Sequence, residues 1–157
     1  DEVVKKLYQD KNFRFFLSKK FKIKNNNKIK ISLKKLILRN NKNLTKLEKI
    51  IHPLVREKMK KFTLKNKNKK ILFYEIPLLI ESKLMRFFDV IIFIKSKKLL
   101  RLKRFKLKNG SKILFDFFNS QQIKDREKVK FCDHVVVNEK NLKILKKNLL
   151  DILNSYV

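Results

Sequence analysis

A short apolar run that ends in a proline constrains the fold of this chain most strongly. Residues 71–76 read Ile-Leu-Phe-Tyr-Glu-Ile, and Pro77 follows directly. A run of this length is typical of a strand buried on both faces of a parallel sheet that helices cover. Proline has no N–H to donate to a strand ladder, so the strand is expected to end there. Residues 77–82 would then form a loop at the carboxyl edge of the sheet, where open α/β folds bind ligands.

Helical and extended patterns alternate along the rest of the chain. Further strands are predicted at 90–94 and 134–137, and strands separated by helices indicate an α/β fold with a parallel sheet. The predicted helices span 2–19, 33–39, 44–62, 82–87, 97–107, 111–122, 124–130 and 140–155.

Three local signals refine these helices. His52-Pro53 is expected to divide 44–62 into two helices, because the residue before a proline disfavours the helical conformation. Ser96 is a favoured residue type for capping the helix that follows it. Asn109-Gly110 contains the only glycine and is the sharpest turn signal in the chain.

Length and composition exclude several classes of protein. The 157 residues suit one domain, and a hydrophobic content of 43% is too high for a disordered polycation. No apolar stretch approaches the roughly 18–20 residues that span a bilayer, and no signal peptide is recognisable. Cys132 is the only cysteine, which rules out an internal disulfide framework and a cysteine-based zinc site. A cytoplasmic protein without a membrane partner is therefore expected.

The charge of the chain has two explanations. Lys and Arg number 43 against 14 Asp and Glu, and the resulting formal charge of +29 resembles that of nucleic-acid-binding proteins. However, Lys, Asn, Ile and Phe have AT-rich codons, and the lysines are scattered over nearly every predicted helix. Mutational bias is therefore favoured over selected RNA binding, and no specific nucleic-acid partner is expected. Such a field would still attract a polyanionic substrate.

A series of motifs resembles one enzyme family. In order, they are Leu47-Glu-Lys-Ile-Ile-His-Pro-Leu-Val-Arg56, Ile76-Pro-Leu-Leu-Ile-Glu81, Asp89-Val-Ile-Ile-Phe-Ile94, Leu102-Lys-Arg104, and the spaced residues Gln122, Lys128, Asp133 and Asn138. Their order and spacing resemble those of the dephospho-coenzyme A kinases. Each motif alone is weak, but together they cover essentially the whole chain.

The resemblance implies a fold and a domain organisation. The family has a P-loop kinase-like three-layer α/β/α fold with a parallel sheet, a helical insertion for the acceptor and a helical lid. Here the insertion would span about 10–65 and the lid about 104–126. The phosphate-binding motif Gly-x-x-x-x-Gly-Lys-Ser/Thr is absent from the 157 residues. We therefore expect that the first strand and the P-loop, roughly 30 residues, are missing, and that residues 1–157 alone are inactive.

The resemblance also implies roles for individual residues. It implies that Asp1, Arg104 and Lys108 are catalytic residues. It also implies that Arg104 and Asn138 bind the nucleotide. For Lys108 the family often has an arginine, whose planar fork lysine lacks. The acceptor-binding residues would be His52, Pro53, Pro77, Leu78, Leu79 and Glu81. No residue is expected to bind a metal directly.

The function that follows is ATP-dependent phosphorylation of the 3′-hydroxyl of dephospho-coenzyme A, the last step of coenzyme A synthesis. ATP and Mg²⁺ are the expected cofactors, and the protein would be a monomer or a weak homo-oligomer. Three alternatives stay open: another P-loop nucleotide or nucleoside kinase, a basic RNA-binding protein, and a catalytically dead remnant that binds coenzyme A.

Overall fold

The structure is a computed structural model that describes residues 2–26 and 28–156. It divides into two compact units, Asp1–Glu75 and Ile76–Val157. The first unit is helical, and the second holds the sheet.

The described residues of the first unit form the helices α1 Glu2–Leu7, α2 Lys11–Phe21, α3 Ile29–Arg39 and α4 Lys42–Lys65. The single helix predicted over 2–19 is two helices, because Asp10 has an extended backbone and its Oδ1 accepts a hydrogen bond from the Phe13 N–H at 2.9 Å. This N-cap starts α2 afresh. The buried apolar side chains of the unit are Leu17, Ile29, Leu33, Ile37, Leu47 and Ile51.

Helix α4 runs without a break through Pro53, so the prediction of two helices meeting at His52-Pro53 is wrong. A proline inside a helix costs roughly 3 kcal/mol, because one helical hydrogen bond is lost. Leu47 and Ile51, one helical turn apart, are buried on the side of the proline nearer the helix start. Their burial favours one continuous helix over two short ones.

Residues 71–76 adopt no strand, which corrects the prediction made from their apolar run. Phe73 is 61% exposed, so the segment is not buried on both faces. Within the described residues, no neighbouring strand pairs with it. Instead, the Tyr74 ring packs edge-on against Phe62 at 5.5 Å, and its hydroxyl lies 2.6 Å from Thr63 Oγ1. These contacts hold the segment to the end of α4.

The second unit contains a two-stranded parallel sheet. Strand β1 spans Ile92–Lys95 and β2 spans His134–Val137, with Ile92 opposite His134 and Lys95 opposite Val137. The prediction of an α/β fold with parallel strands is confirmed. The helices of this unit are α5 Lys98–Leu107, α6 Lys112–Ser120, α7 Asp125–Val129 and α8 Leu142–Asn154. Its buried apolar residues are Ile80, Leu84, Leu114, Phe115 and Val136.

Turns replace the helix predicted at 82–87. Residues 77–83 form successive turns, and only Met85–Phe87 makes a short 3₁₀ helix. Lys83 has a left-handed backbone with φ of 54°, which a continuous right-handed helix cannot accommodate. In the described part of the chain, no helix is both long and apolar enough to cross a membrane.

Candidate active site

Glu81 and Lys128 form a buried ion pair at the centre of the second unit. Lys128 Nζ lies 2.9 Å from Glu81 Oε1, and the two side chains are 7% and 14% exposed. The same carboxylate oxygen accepts a hydrogen bond from the Ile123 N–H at 3.0 Å, and Lys128 Nζ also donates to Gln122 Oε1 at 3.2 Å. Burial of two charges requires this kind of pairing.

This network joins distant motifs of the sequence. The turns at 77–83 carry Glu81, while α7 carries Lys128. Glu81 Oε2 is buried and has no hydrogen-bond partner. The paired oxygen of this carboxylate holds the turns against α7. Substrate binding by Glu81 stays a prediction, and the network gives this residue a structural contact as well.

Arg104 and Asn138 meet at the carboxyl end of β2. Arg104 Nη1 donates to the Asn138 carbonyl at 3.0 Å, and Nη2 donates to its Oδ1 at 3.3 Å. The Asn138 N–H in turn donates to the Lys95 carbonyl at 2.7 Å. Two residues expected to contact the nucleotide are thus in direct contact with each other, at the sheet edge where open α/β folds bind ligands.

Glu139, which the sequence reasoning missed, caps α5 from across the sheet edge. Its Oε1 accepts from the Lys97 N–H at 3.2 Å, and its Oε2 lies 3.2 Å from Lys97 Nζ. The prediction that Ser96 caps this helix is wrong. Lys97 is the N-cap residue, and Ser96 Oγ is buried without a hydrogen-bond partner. Because Glu139 lies 42 residues after Lys97, the sequence near α5 does not indicate this cap.

The other predicted site residues are distributed over both units. Lys108 is exposed and directly follows α5. Asp1 lies outside the described residues. In the first unit, His52 is half-buried and Pro53 is exposed, both within α4. In the second unit, Pro77 is exposed and the half-buried Leu78 and Leu79 follow it in the turns.

Asp133 stabilises the sheet. Its Oδ2 accepts from the Ile91 N–H at 2.7 Å, and its own N–H donates to the Ile91 carbonyl at 2.9 Å. These bonds set the register at the start of the two strands. Asp133 therefore has a structural role here, although its spacing was part of the resemblance.

A polar cleft of about 210 Å³ lies beside the Glu81 network. Arg101 borders it, with its Nη2 4.0 Å from Asp125 Oδ1 and its Nε buried without a partner. Gln122 connects the cleft to the ion pair because its Oε1 accepts from Lys128. The lining residues are Arg101, Asn119, Gln122, Ile123, Lys124 and Asp125.

Titratable groups of the described residues form no obvious metal centre. Across 2–26 and 28–156, no three His, Cys, Asp or Glu side chains come together as metal ligands would. These residues therefore do not fit a metal held by the protein alone.

Burial raises the pKa of the Cys132 thiol, which lies near the Glu81–Lys128 network. The Asp133 charge raises this pKa further, and the Lys128 charge opposes the increase.

Comparison with known proteins gives one consistent result. The sequence model of the family described as dephospho-CoA kinase matches residues 23–143. The chain is 31% identical over 160 residues to the dephospho-CoA kinase of Bartonella henselae, covering 99% of this chain and 82% of that protein. It is 33% identical over 135 residues to the enzyme of the same name from Protochlamydia amoebophila, covering 83% and 66%.

A third relative, the dephospho-CoA kinase of Wolbachia sp. subsp. Brugia malayi, is 28% identical over 160 residues, which cover 99% of this chain and 82% of that protein. The matches reach both structural units, and they include the motifs that form the Glu81–Lys128 and Arg104–Asn138 contacts. The chain therefore belongs to the dephospho-CoA kinase family.

Proposed function

We propose that this protein transfers the γ-phosphate of ATP to the 3′-hydroxyl of dephospho-coenzyme A. The observation that carries the proposal is the family match over both units, which is supported by the meeting of Arg104 with Asn138 and of Glu81 with Lys128. Phosphoryl transfer depends mainly on positioning and on neutralising phosphate charge. The Arg104–Asn138 contact fixes polar side chains at the carboxyl end of β2, and the Glu81–Lys128 contact fixes the turns at 77–83 to α7.

The nucleotide lies at the end of β2 in this proposal. Arg104 and Asn138 contact the nucleotide, because a guanidinium and a carboxamide at the carboxyl end of a parallel strand supply donors for it. Arg104 and Lys108 also face the transferring phosphate as cations of the lid, proposed to span about 104–126. Asp1 serves the acceptor side.

In the second unit, the turns at 77–83 bind the acceptor in this proposal. Pro77, Leu78 and Leu79 offer apolar surface there, and Glu81 supplies a carboxylate. In the first unit, His52 and Pro53 within α4 are proposed separately as acceptor-binding residues of the helical subdomain of about 10–65. The coenzyme A precursor combines apolar and phosphate-bearing parts, so a site with both characters suits it.

Mg²⁺ is proposed to accompany ATP and to neutralise its phosphates. Mg²⁺ bound with a nucleotide is usually held by phosphate oxygens, water and one or two carboxylates. The protein is proposed to act in the cytoplasm, as a monomer or a weak homo-oligomer, with no specific nucleic-acid partner.

The decisive assay uses the gene product expressed from its own start codon. With ATP, Mg²⁺ and dephospho-coenzyme A, mass spectrometry should detect a product heavier by one phosphate, located on the 3′-oxygen. No product, or faster phosphorylation of a nucleoside or nucleotide, would overturn the proposal. Residues 1–157 alone are expected to be inactive, because they contain no phosphate-binding glycine loop.

RNA binding is the second candidate, and the formal charge of +29 is the observation that favours it. Binding governed by phosphate contacts weakens steeply as salt increases. A basic RNA-binding protein should therefore lose affinity for RNA steeply as salt is added, and binding that survives added salt would count against this candidate. Competition of this binding by dephospho-coenzyme A would instead assign it to the kinase site.

A further inference from the structure

The residues that follow β2 are held to α5 at two separate places. At the helix start, Glu139 contacts both the N–H and the ammonium of Lys97. Further along the same helix, Arg104 donates two hydrogen bonds to Asn138. Two consecutive loop residues are therefore fixed to opposite parts of one rigid helix, and Asn138 is also fixed to β1 through the Lys95 carbonyl.

The two attachments differ in their chemistry. Arg104 is part of the proposed nucleotide site, so its guanidinium contacts both Asn138 and the nucleotide when a nucleotide is bound. Glu139 is not part of that site. Its carboxylate satisfies an N–H at the start of α5 that lacks a helical partner, and it lies at the positive end of the helix dipole.

We propose that Glu139 is a positioning residue that holds the 138–140 loop, and with it Asn138, in the geometry that binds the nucleotide. This inference rests on the proposed function, because it assigns the loop to ATP. The hydrogen bond to the Lys97 N–H carries most of the effect. The ion pair contributes less, since the Lys97 side chain is 79% exposed and its charge is screened by solvent.

The charge of Glu139 also acts at the start of α5, where its carboxylate contacts the Lys97 N–H and ammonium. A helix N-terminus is a natural anion site, and here a carboxylate of the protein already occupies it. The role of Glu139 is indirect: it sets the position of Asn138 and does not contact the ligand.

The test compares three variants by two measurements. Glu139→Ala removes both contacts, Glu139→Gln keeps an acceptor oxygen for the Lys97 N–H, and Glu127→Gln alters an exposed ion pair with Lys130 as a matched control. Hydrogen exchange reports on the amides of 138–140 in the 157-residue chain. Calorimetry on the gene product from its own start codon reports affinities for ATP and for dephospho-coenzyme A.

Glu139→Ala should speed exchange at 138–140 and weaken ATP binding about fivefold, the scale of a lost helix cap, while dephospho-coenzyme A binding stays unchanged. Glu139→Gln should restore most of the slow exchange and most of the ATP affinity. Glu127→Gln should change neither the exchange rate nor the ATP affinity. Unchanged exchange in Glu139→Ala, or equal weakening of both ligands, would overturn the positioning role. If the wild-type protein binds no ATP, the proposed function and the nucleotide role of this loop are refuted together.

Discussion

Lys128 Nζ lies 2.9 Å from Glu81 Oε1, and this contact joins the turns after residue 76 to α7. Both side chains are nearly buried; Glu81 also accepts from a backbone N–H, and Lys128 also donates to a glutamine amide oxygen and lies 5.9 Å from the centre of the Phe93 ring. Each charge thus depends on the other for compensation. The stability of this unit should therefore respond sharply to the loss of one partner.

Lys128→Met should destabilise the protein by about 3–5 kcal/mol, because it leaves the Glu81 carboxylate buried without its counter-charge. Urea unfolding monitored by circular dichroism measures the loss. The double variant Glu81→Gln with Lys128→Met should recover part of this stability, since no charge then remains buried. Lys130→Met, which breaks an exposed pair with Glu127, is the control and should cost at most about 1 kcal/mol. Equal effects of the two lysine substitutions would contradict the structural role of Lys128.

Arg104→Lys should weaken ATP binding about as much as Arg104→Ala. Lysine keeps the charge but lacks the planar fork that reaches both the Asn138 carbonyl and its Oδ1. Calorimetric titration of the gene product with ATP measures this, and a loss of about fivefold to tenfold is expected from removal of charge-assisted hydrogen bonds. Lys103→Ala, on the same helix, is the matched control. Full ATP affinity in Arg104→Lys would show that charge alone suffices.

Gly110→Ala should destabilise the second unit by about 1–3 kcal/mol through overpacking. A methyl group at this position would overlap the ring of Phe105, and that ring is confined by Phe115 at 5.8 Å. Asn109→Gly is the companion variant: Asn109 has φ of 60°, so glycine there relieves strain and should leave the melting temperature equal or higher. A melting temperature for Gly110→Ala equal to the wild type would show that Phe105 can move aside.

Cys132 should react slowly with iodoacetamide at neutral pH. Burial and the Asp133 charge raise the pKa of its thiol, so less of the reactive thiolate is present than in a free cysteine. Because the unfolded chain ionises more readily, stability should fall as pH increases from the unfolded pKa toward the higher folded pKa. Mass spectrometry of the single cysteine, with and without urea, measures the rate. Equal rates in the two conditions would contradict this environment.

Periodicity predicted the elements whose contacts are local. Helices α6 and α8 occur close to the predicted positions because each has a cap residue directly before it: Ser111 Oγ accepts from the Leu114 N–H at 3.2 Å, and Asn141 Oδ1 accepts from the Ile144 N–H at 3.0 Å. The same reasoning failed at residues 71–76, where an apolar run needs a neighbouring strand to become one. It also failed at Pro53, where packing overrides local preference.

The candidate site was predictable only as a set of motifs. Glu81, Arg104 and Asn138 were identified by resemblance, and their contacts follow from the structure. Lys128 was noted for its spacing alone, and nothing local indicates that it is the partner of Glu81. Glu139 was missed because its partner, Lys97, is remote in sequence. Pairing over such separations is decided by tertiary structure, which single-sequence patterns do not encode.

The parallel pairing of β1 with β2 has a consequence for the time course of folding. Its partners, Ile92 and His134, come together only after the whole of α5, α6 and α7 has left the ribosome. Closing a long loop before any ladder bond forms is slow, whereas helices with neighbouring partners form early. The helical first unit should therefore be folded while the second is still being synthesised, and the strand edge of β1 stays exposed to aggregation until β2 arrives.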